Sequence, residues 1–356
     1  MHTLDFIVQP GIVPTANLAA DTHFLHVVGR PSRTRLGVLR VYDFVGDVLS
    51  LGRYHLMPEQ PPGSVDVHLH RRQSGGRAIP FGEGFVGMTL VLPHRSALFS
   101  DSPFALAPYQ VINRYVRGLL EGCKLVGVAA FYPGRDFITV DRRILGLVSF
   151  EVDQAGALLF EAIIANRRDF SLLPRLLDGV DEQGLINAEM LTPADTTCLA
   201  RATGAQLTTA EVADMLRRGY EKQFNLSFAE HVLTPLEDRA IEATAAHEFH
   251  GDRWLQQRRL RPDLEHHASV RVQLGTFEAY FSLEQNRFIK EIVFAGDFIA
   301  NSPAIAQLEH ELRLCPAEWR AIDAVASEIF ARPEHFILGI GRTRAIADTI
   351  CRGIAQ

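Results

Sequence analysis

Between Leu36 and about Ile164, short apolar runs are cut by glycine-containing turns: Val38 to Val41, Val48 to Leu51, Gly87 to Leu92, Ile138 to Val140, Ile144 to Phe150 and Ala157 to Ile164. Apolar runs of this length bounded by turn residues predict strands, and so a sheet-building region. Val111, Ile112, Tyr115, Val116, Leu119 and Leu120 recur at helical spacing and predict a helix between Tyr109 and Leu120. Further on, Thr208 and Glu211 form a capping-box pattern ahead of the stripe Val212, Met215, Leu216 and Tyr220, and Thr234-Pro235 with Glu237 opens another helix.

Past Trp254 the pattern restarts. Val270, Val272 and Leu274 alternate with polar residues, Phe277, Ala279 and Phe281 continue in period two, and a polar turn from Glu284 to Arg287 precedes the run Phe288 to Phe294. Ser302-Pro303 then starts a helix carrying Ile305, Leu308 and Leu312. The stretch from 247 to 265 is polar and poorly periodic. This predicts two domains, residues 1–246 and 247–356.

Composition narrows the function classes. A net charge of -6 argues against a general nucleic-acid or anionic-membrane binder, so any anion site must be local. The four cysteines are scattered without a CxxC pair, which suggests neither a disulfide framework nor a zinc ribbon. No run of about 18 apolar residues occurs, and the expectation is a soluble, cytoplasmic protein. "HEFH" (247–250) has the wrong histidine spacing for a zinc helix, "EHH" (265–267) reads as a solvated linker, and "GIGRTRA" (339–345) reads as a loop.

The stretch "RRQSGGRAIPFGEGF" (71–85) carries the chemistry. Paired glycines after Ser74 allow close backbone approach, and exposed amide N–H groups beside guanidinium groups read as a cradle for phosphate or carboxylate; the alternative is a glycine turn with solvated arginines. No GK[ST] ending makes it a Walker loop.

"RRQSGGRAI" resembles the RRxSGGxAV signature of the lipoate-protein ligase and octanoyltransferase superfamily, whose fold is related to biotin-protein ligase. "NLAAD" (17–21), "LRVYDFVGDVLSLGRYH" (39–55), "GRDFITVDRRILGLVSFEVDQAGALLFEAII" (134–164) and "RFIKEIVFAGDF" (287–298) resemble further family segments in the same order. The resemblance implies an α/β (α+β) fold of the class II biotin/lipoyl synthetase type: a mixed sheet flanked by helices, with a small α+β C-terminal accessory domain. It also implies ATP and Mg as cofactors, lipoate or octanoate as substrate, and as partner a lipoyl-carrier domain of a 2-oxoacid dehydrogenase or a glycine-cleavage H-type protein. Carried over by position, the acyl or adenylate group would be held by Arg71, Arg72, Ser74, Gly75, Gly76, Arg77, Asp136 and Gly146. Arg143 would stand where the family has its catalytic lysine.

The chain departs from the family at three places. Arg143 replaces that lysine, and its planar fork differs from a compact ammonium. Phe81 stands at the signature's histidine, and Ala130 at the transferase cysteine, which removes the nucleophile of a thioester route. Cys123, seven residues upstream, reads as an ordinary small residue at a helix end. Asp297 reads as a structural acid capping a turn. Three readings follow: an ATP-dependent ligase that forms an acyl-adenylate, a transferase that uses a preformed thioester, and a non-catalytic relative that binds an acyl ligand or a carrier domain.

Overall fold

The computed structural model describes residues 2–30, 34–58, 67–178, 180–181, 183–189, 191–251 and 253–355. In chain order the N-terminal part contains β1 (Thr3–Gln9), α1 (Pro14–Val28), β2 (Val38–Tyr42), β3 (Asp47–Leu51), β4 (His68–Arg71), β5 (Ile79–Gly82) and β6 (Phe85–Leu92). It continues with α2 (Val111–Leu125), β7 (Phe137–Val140), β8 (Arg143–Val152), β9 (Leu158–Ala165), α3 (Leu173–Leu177), α4 (Leu199–Thr203), α5 (Thr209–Phe224), β10 (Ser227–Glu230) and α6 (Pro235–Thr244). The C-terminal part contains β11 (His266–Val272), β12 (Gly275–Glu284), β13 (Phe288–Gly296), β14 (Ile299–Ala300), α7 (Ser302–Glu311), α8 (Trp319–Phe330), β15 (Ile337–Leu338) and α9 (Ala345–Ile354).

Seven strands form the main sheet in the order β10-β1-β2-β6-β9-β8-β7. Its β10-β1-β2 end is parallel and the rest antiparallel, so the sheet is mixed. Period-two alternation sorts its side chains. Phe6, Leu39, Leu90 and Phe160 meet α2 and α5 on one face, while Ile7, Val38, Val91 and Leu159 meet α1 on the other. Coverage on both faces explains why these strands read as unbroken apolar runs. A second sheet, β4-β3-β5, packs through Val48, Leu49, Leu51 and Ile79 against Phe85 and Ile163 of the main one.

The helices start where local chemistry says they should. The Thr208 and Thr234 hydroxyls each accept the backbone N–H of the glutamate three residues on, and Glu211 and Glu237 return the bond to the threonine amides. Where α2 crosses α5 the backbones nearly touch: a Cβ on Gly219 would lie 2.3 Å from the carbonyl oxygen of Gly118.

The C-terminal meander β11-β12-β13 packs Phe277, Phe281, Ile292 and Phe294 against Ile305, Leu308, Ile322, Ile346 and Ile350 of α7, α8 and α9. This cluster is its own, yet Leu274, Ile299 and Phe336 belong to the large N-terminal cluster. The expectation of a solvated linker at 265–267 is corrected: His266 stacks on Phe281 and His267 on Tyr280 across the first strand pair. Among the described residues no helix is long and apolar enough to cross a membrane.

Gly219→Ala is expected to force the two helices apart and to cost about 1–3 kcal/mol. The check is a fall in the urea midpoint with an unchanged slope.

Candidate functional site

The glycine turn lies between β4 and β5, on the seam between the two sheets, and everything in it is buried. The reading of a glycine turn with solvated arginines is therefore corrected. A guanidinium withdrawn from water needs its donors satisfied, and each arginine solves this differently.

Arg71, only 1% exposed, donates to the carbonyls of Gly52, Arg53, His55, Leu255 and Arg258. Burial, followed by the charges of Arg258 and Arg53, pushes its pKa down to about 9. Arg72 donates to the carbonyls of Ser50, Gly75 and Arg77 and so ties the turn to itself and to β3. Burial lowers its pKa, although the nearby carboxylate of Glu161 opposes this. Arg77 makes a forked ion pair with Asp136, at 2.7 Å from Nε to Oδ2 and 3.3 Å from Nη2 to Oδ1. Burial works against its charge, but Asp136 more than offsets that and raises its pKa.

The amides are occupied as well. Ser74 N–H donates to Glu161 Oε2 at 3.2 Å, Gly76 N–H donates to the carbonyl of Phe298 at 2.8 Å, and Ser149 Oγ donates to the Gly75 carbonyl at 2.9 Å. Glycine is required at 75 because a Cβ there would lie 2.3 Å from the Phe298 oxygen. Phe298 arrives from the C-terminal part on a set of neighbouring contacts: its ring stacks on Tyr54 at 4.4 Å, and the Tyr54 hydroxyl donates to the Ala300 carbonyl at 2.9 Å. His55 Nδ1 accepts the Gly52 N–H, which leaves the proton on Nε2 facing Asp297 Oδ1 at 3.0 Å. Burial alone would raise the Asp297 carboxyl; the His55 contact and the Thr276 N–H hold it below the ordinary aspartate range. Asp297 thus holds the start of β12 and also ties the C-terminal part to His55 after β3.

What remains open is a cavity of about 20 Å³ lined by Arg72, Gly76, Arg77, Asp136, Ser149 and Glu161 among others, room for about one water. The structure therefore brings together four of the expected residues, Arg72, Gly76, Arg77 and Asp136, with Ser74 and Gly75 in the same turn. Arg71 faces away from the cavity to its five carbonyls. Gly146 lies on β8, with Ile163 and Ile138 against the place of a Cβ, and does not line the cavity. Arg143 is exposed at the start of β8, beyond the positive-φ residues Asp141 and Arg142, and also lies outside the cavity. Phe81 is apolar core, 4.2 Å from the Phe44 ring. Ala130 packs partly against the large core, and burial pushes the Cys123 thiol up to about 12, an inert group.

Two cavity residues, Ser149 and Glu161, escaped the sequence reading. A glutamate inside the apolar run "LLFEAIIA" was the available signal, since a strand buried on both faces rarely carries a charge without a partner. A second buried group beside the site carries the same signal, a charge within the buried strand "VLRVY": Arg40 pairs with Asp21, which also accepts from the Thr89 hydroxyl.

A scan against protein-family models and a search of curated proteins find no match. The solved structures do. P. falciparum LipL1 in complex with lipoate is 14% identical and matches with a TM-score of 0.70 over 99% of this chain and 100% of its own. The bi-partite lipoate protein ligase of Thermoplasma acidophilum, from a study of a lipoylation system with its E2 lipoyl domain, is 15% identical with a TM-score of 0.56 over 74% of this chain and 100% of its own. Lipoate-protein ligase A bound with ATP is 16% identical with a TM-score of 0.55, over 72% and 99% of the two chains. The chain therefore has the lipoate-protein ligase fold.

Asp136→Asn strands the Arg77 guanidinium, which is 4% exposed, and is expected to cost about 3–5 kcal/mol in urea unfolding, whereas Arg77→Met with Asp136→Leu recovers most of the loss. Glu161 gives a pH signature. Burial, then the charge of Asp21, raises its carboxyl to about 7 against the pull of Arg72 and Ser74. Its folded pKa exceeds the unfolded value of about 4.3, so its contribution to stability is present below that value and is lost as pH rises through about 7. Glu161→Gln should therefore gain stability relative to wild type between pH 5 and pH 8. A pH-independent difference in unfolding free energy would count against this.

Proposed function

We propose that this chain is a lipoate-protein-ligase-like protein that binds lipoate or octanoate and acts on a lipoyl-carrier domain, with residues 1–246 holding the acyl site and 247–356 serving as the accessory unit. The observation that carries the reading is the match over almost the whole chain to LipL1 in complex with lipoate. It is supported by the convergence of Arg72, Gly76, Arg77 and Asp136 on one buried polar cavity. A carrier partner is suggested by the relative whose lipoylation system includes an E2 lipoyl domain. The nature of that carrier, whether of the 2-oxoacid dehydrogenase or the glycine-cleavage type, belongs to the same proposal.

ATP, which a solved relative of this fold binds, with Mg as its counter-ion, belongs to the same proposal and requires the closed glycine turn to open. The cavity holds about one water, Asp136 is engaged by Arg77, Glu161 holds the Ser74 amide, and the Gly76 amide is given to Phe298. A polar buried site of this kind would fix an acyl carboxylate on the Gly76 amide, beside the Arg72 guanidinium, once the Phe298 carbonyl is withdrawn, because that N–H needs another acceptor when the carbonyl leaves.

A second reading, a relative that binds an acyl ligand or a carrier without activating it, is favoured by Arg143, which is exposed outside the cavity, and by Phe81, which fills the position of a polar residue. The thioester route lacks a thiol at Ala130.

The test measures pyrophosphate release from ATP with lipoate and with octanoate, alongside the melting temperature with lipoyl-AMP. The ligase-like reading expects acid-dependent pyrophosphate release and a rise of roughly 5 °C or more at a hundredfold excess over Kd. A melting shift without pyrophosphate leaves the binder, and neither response sinks both readings.

A further inference from the structure

A second site lies on the other side of Arg71. Arg53, Tyr54, Arg258, Arg259, Arg261 and Glu309, with neighbouring glutamines and Ser302, wall a cleft of about 360 Å³ between the second sheet, the segment before β11, and α7. Four guanidinium groups line it against one carboxylate.

The local charges do not cancel. Glu309 is taken by Arg258, which grips it through both terminal nitrogens at 3.0 Å, and Arg261 is taken by Asp263 and Glu291. Arg53 lies over the Trp254 ring at 5.1 Å and donates to the Gln73 carbonyl at 3.3 Å. Among the described residues Arg259 has no carboxylate partner. Behind them Arg71 is buried on carbonyl oxygens alone. The other acid facing Arg53 is Glu151, buried against Ser302, and burial pushes its carboxyl up to about 7, so that it is a weak counter-charge near neutral pH. Arg259 and Arg71 therefore have no carboxylate partner, and Arg53 is offset only in part by Glu151, in a chain whose net charge is -6. Fixed positive charge in a concave site attracts an anion.

We infer that this cleft binds the phosphate group of a small molecule, with Arg53 and Arg259 as its principal donors. The planar forks of arginine match phosphate oxygens, and the cleft is large enough for a mono- or diphosphate with part of the group that carries it. Two sources share this chemistry, a nucleotide and a phosphopantetheine-type cofactor. The site is separate from the cavity at Gly76, and the inference does not rest on the acyl-binding reading.

Isothermal titration of the full chain with inorganic phosphate, ADP and 4′-phosphopantetheine, at low and high salt, tests it. The expected result is binding that weakens with salt and falls by about tenfold or more in Arg259→Ala, a substitution of an exposed side chain with no ion pair to lose. Arg53→Gln should give a similar loss. A preference for 4′-phosphopantetheine over ADP assigns the phosphopantetheine source, and the reverse assigns the nucleotide. The inference is overturned if none of the three probes binds at millimolar concentration, if Arg259→Ala leaves every affinity unchanged, or if only an acidic carrier protein responds to that substitution.

Discussion

Burying a guanidinium is the constraint around which this molecule is arranged. Three arginines enter the interior within seven residues, and each must find acceptors there. Arg71 gathers carbonyls from the turn after β3 and from the segment at Leu255 and Arg258, which pins the chain between α6 and β11 to the second sheet. Arg72 folds the glycine turn back onto β3, and Arg77 ties the second sheet to Asp136 at the entrance of β7. The relative placement of the two sheets and the C-terminal part follows from these anchors as much as from apolar packing.

The same economy leaves the glycine turn self-sufficient. Its two amides, Ser74 and Gly76, have partners from two different regions, a glutamate of β9 and a carbonyl that follows β13. An oxygen of the protein sits where the sequence suggested an oxygen of a ligand. The polar character of the turn and its closed state are consistent, because donors buried without acceptors would be costly.

Local features were legible in the sequence and long-range ones were not. The capping boxes at Thr208 and Thr234, the helix over Val111 to Leu120 and the strand runs from Val38 to Ile164 depend on neighbours a few residues apart, and they appear where the pattern puts them. The encounter of Phe298 with Gly75 and Gly76 joins positions more than two hundred residues apart and has no local signature. Arg143 shows the other limit: a residue matched by motif position lies on an exposed hairpin, because register and turn geometry decide where a side chain points. His266 and His267 read as linker residues since nothing nearby announced Phe281 and Tyr280. Glu161 was a buried partner with a visible clue, a charge in an apolar strand, as was Arg40.

The Phe298 carbonyl on the Gly76 amide has a kinetic and thermodynamic meaning. It is a competitor carried on the same chain, and tethered groups act at effective concentrations of the order of millimolar. Any free molecule that uses the Gly76 amide is measured against that internal rival, so its apparent affinity is lower than the turn alone would give. Selectivity then comes from displacement: a ligand that offers only one acceptor gains little over the carbonyl it replaces, while one that also engages Arg72 is favoured.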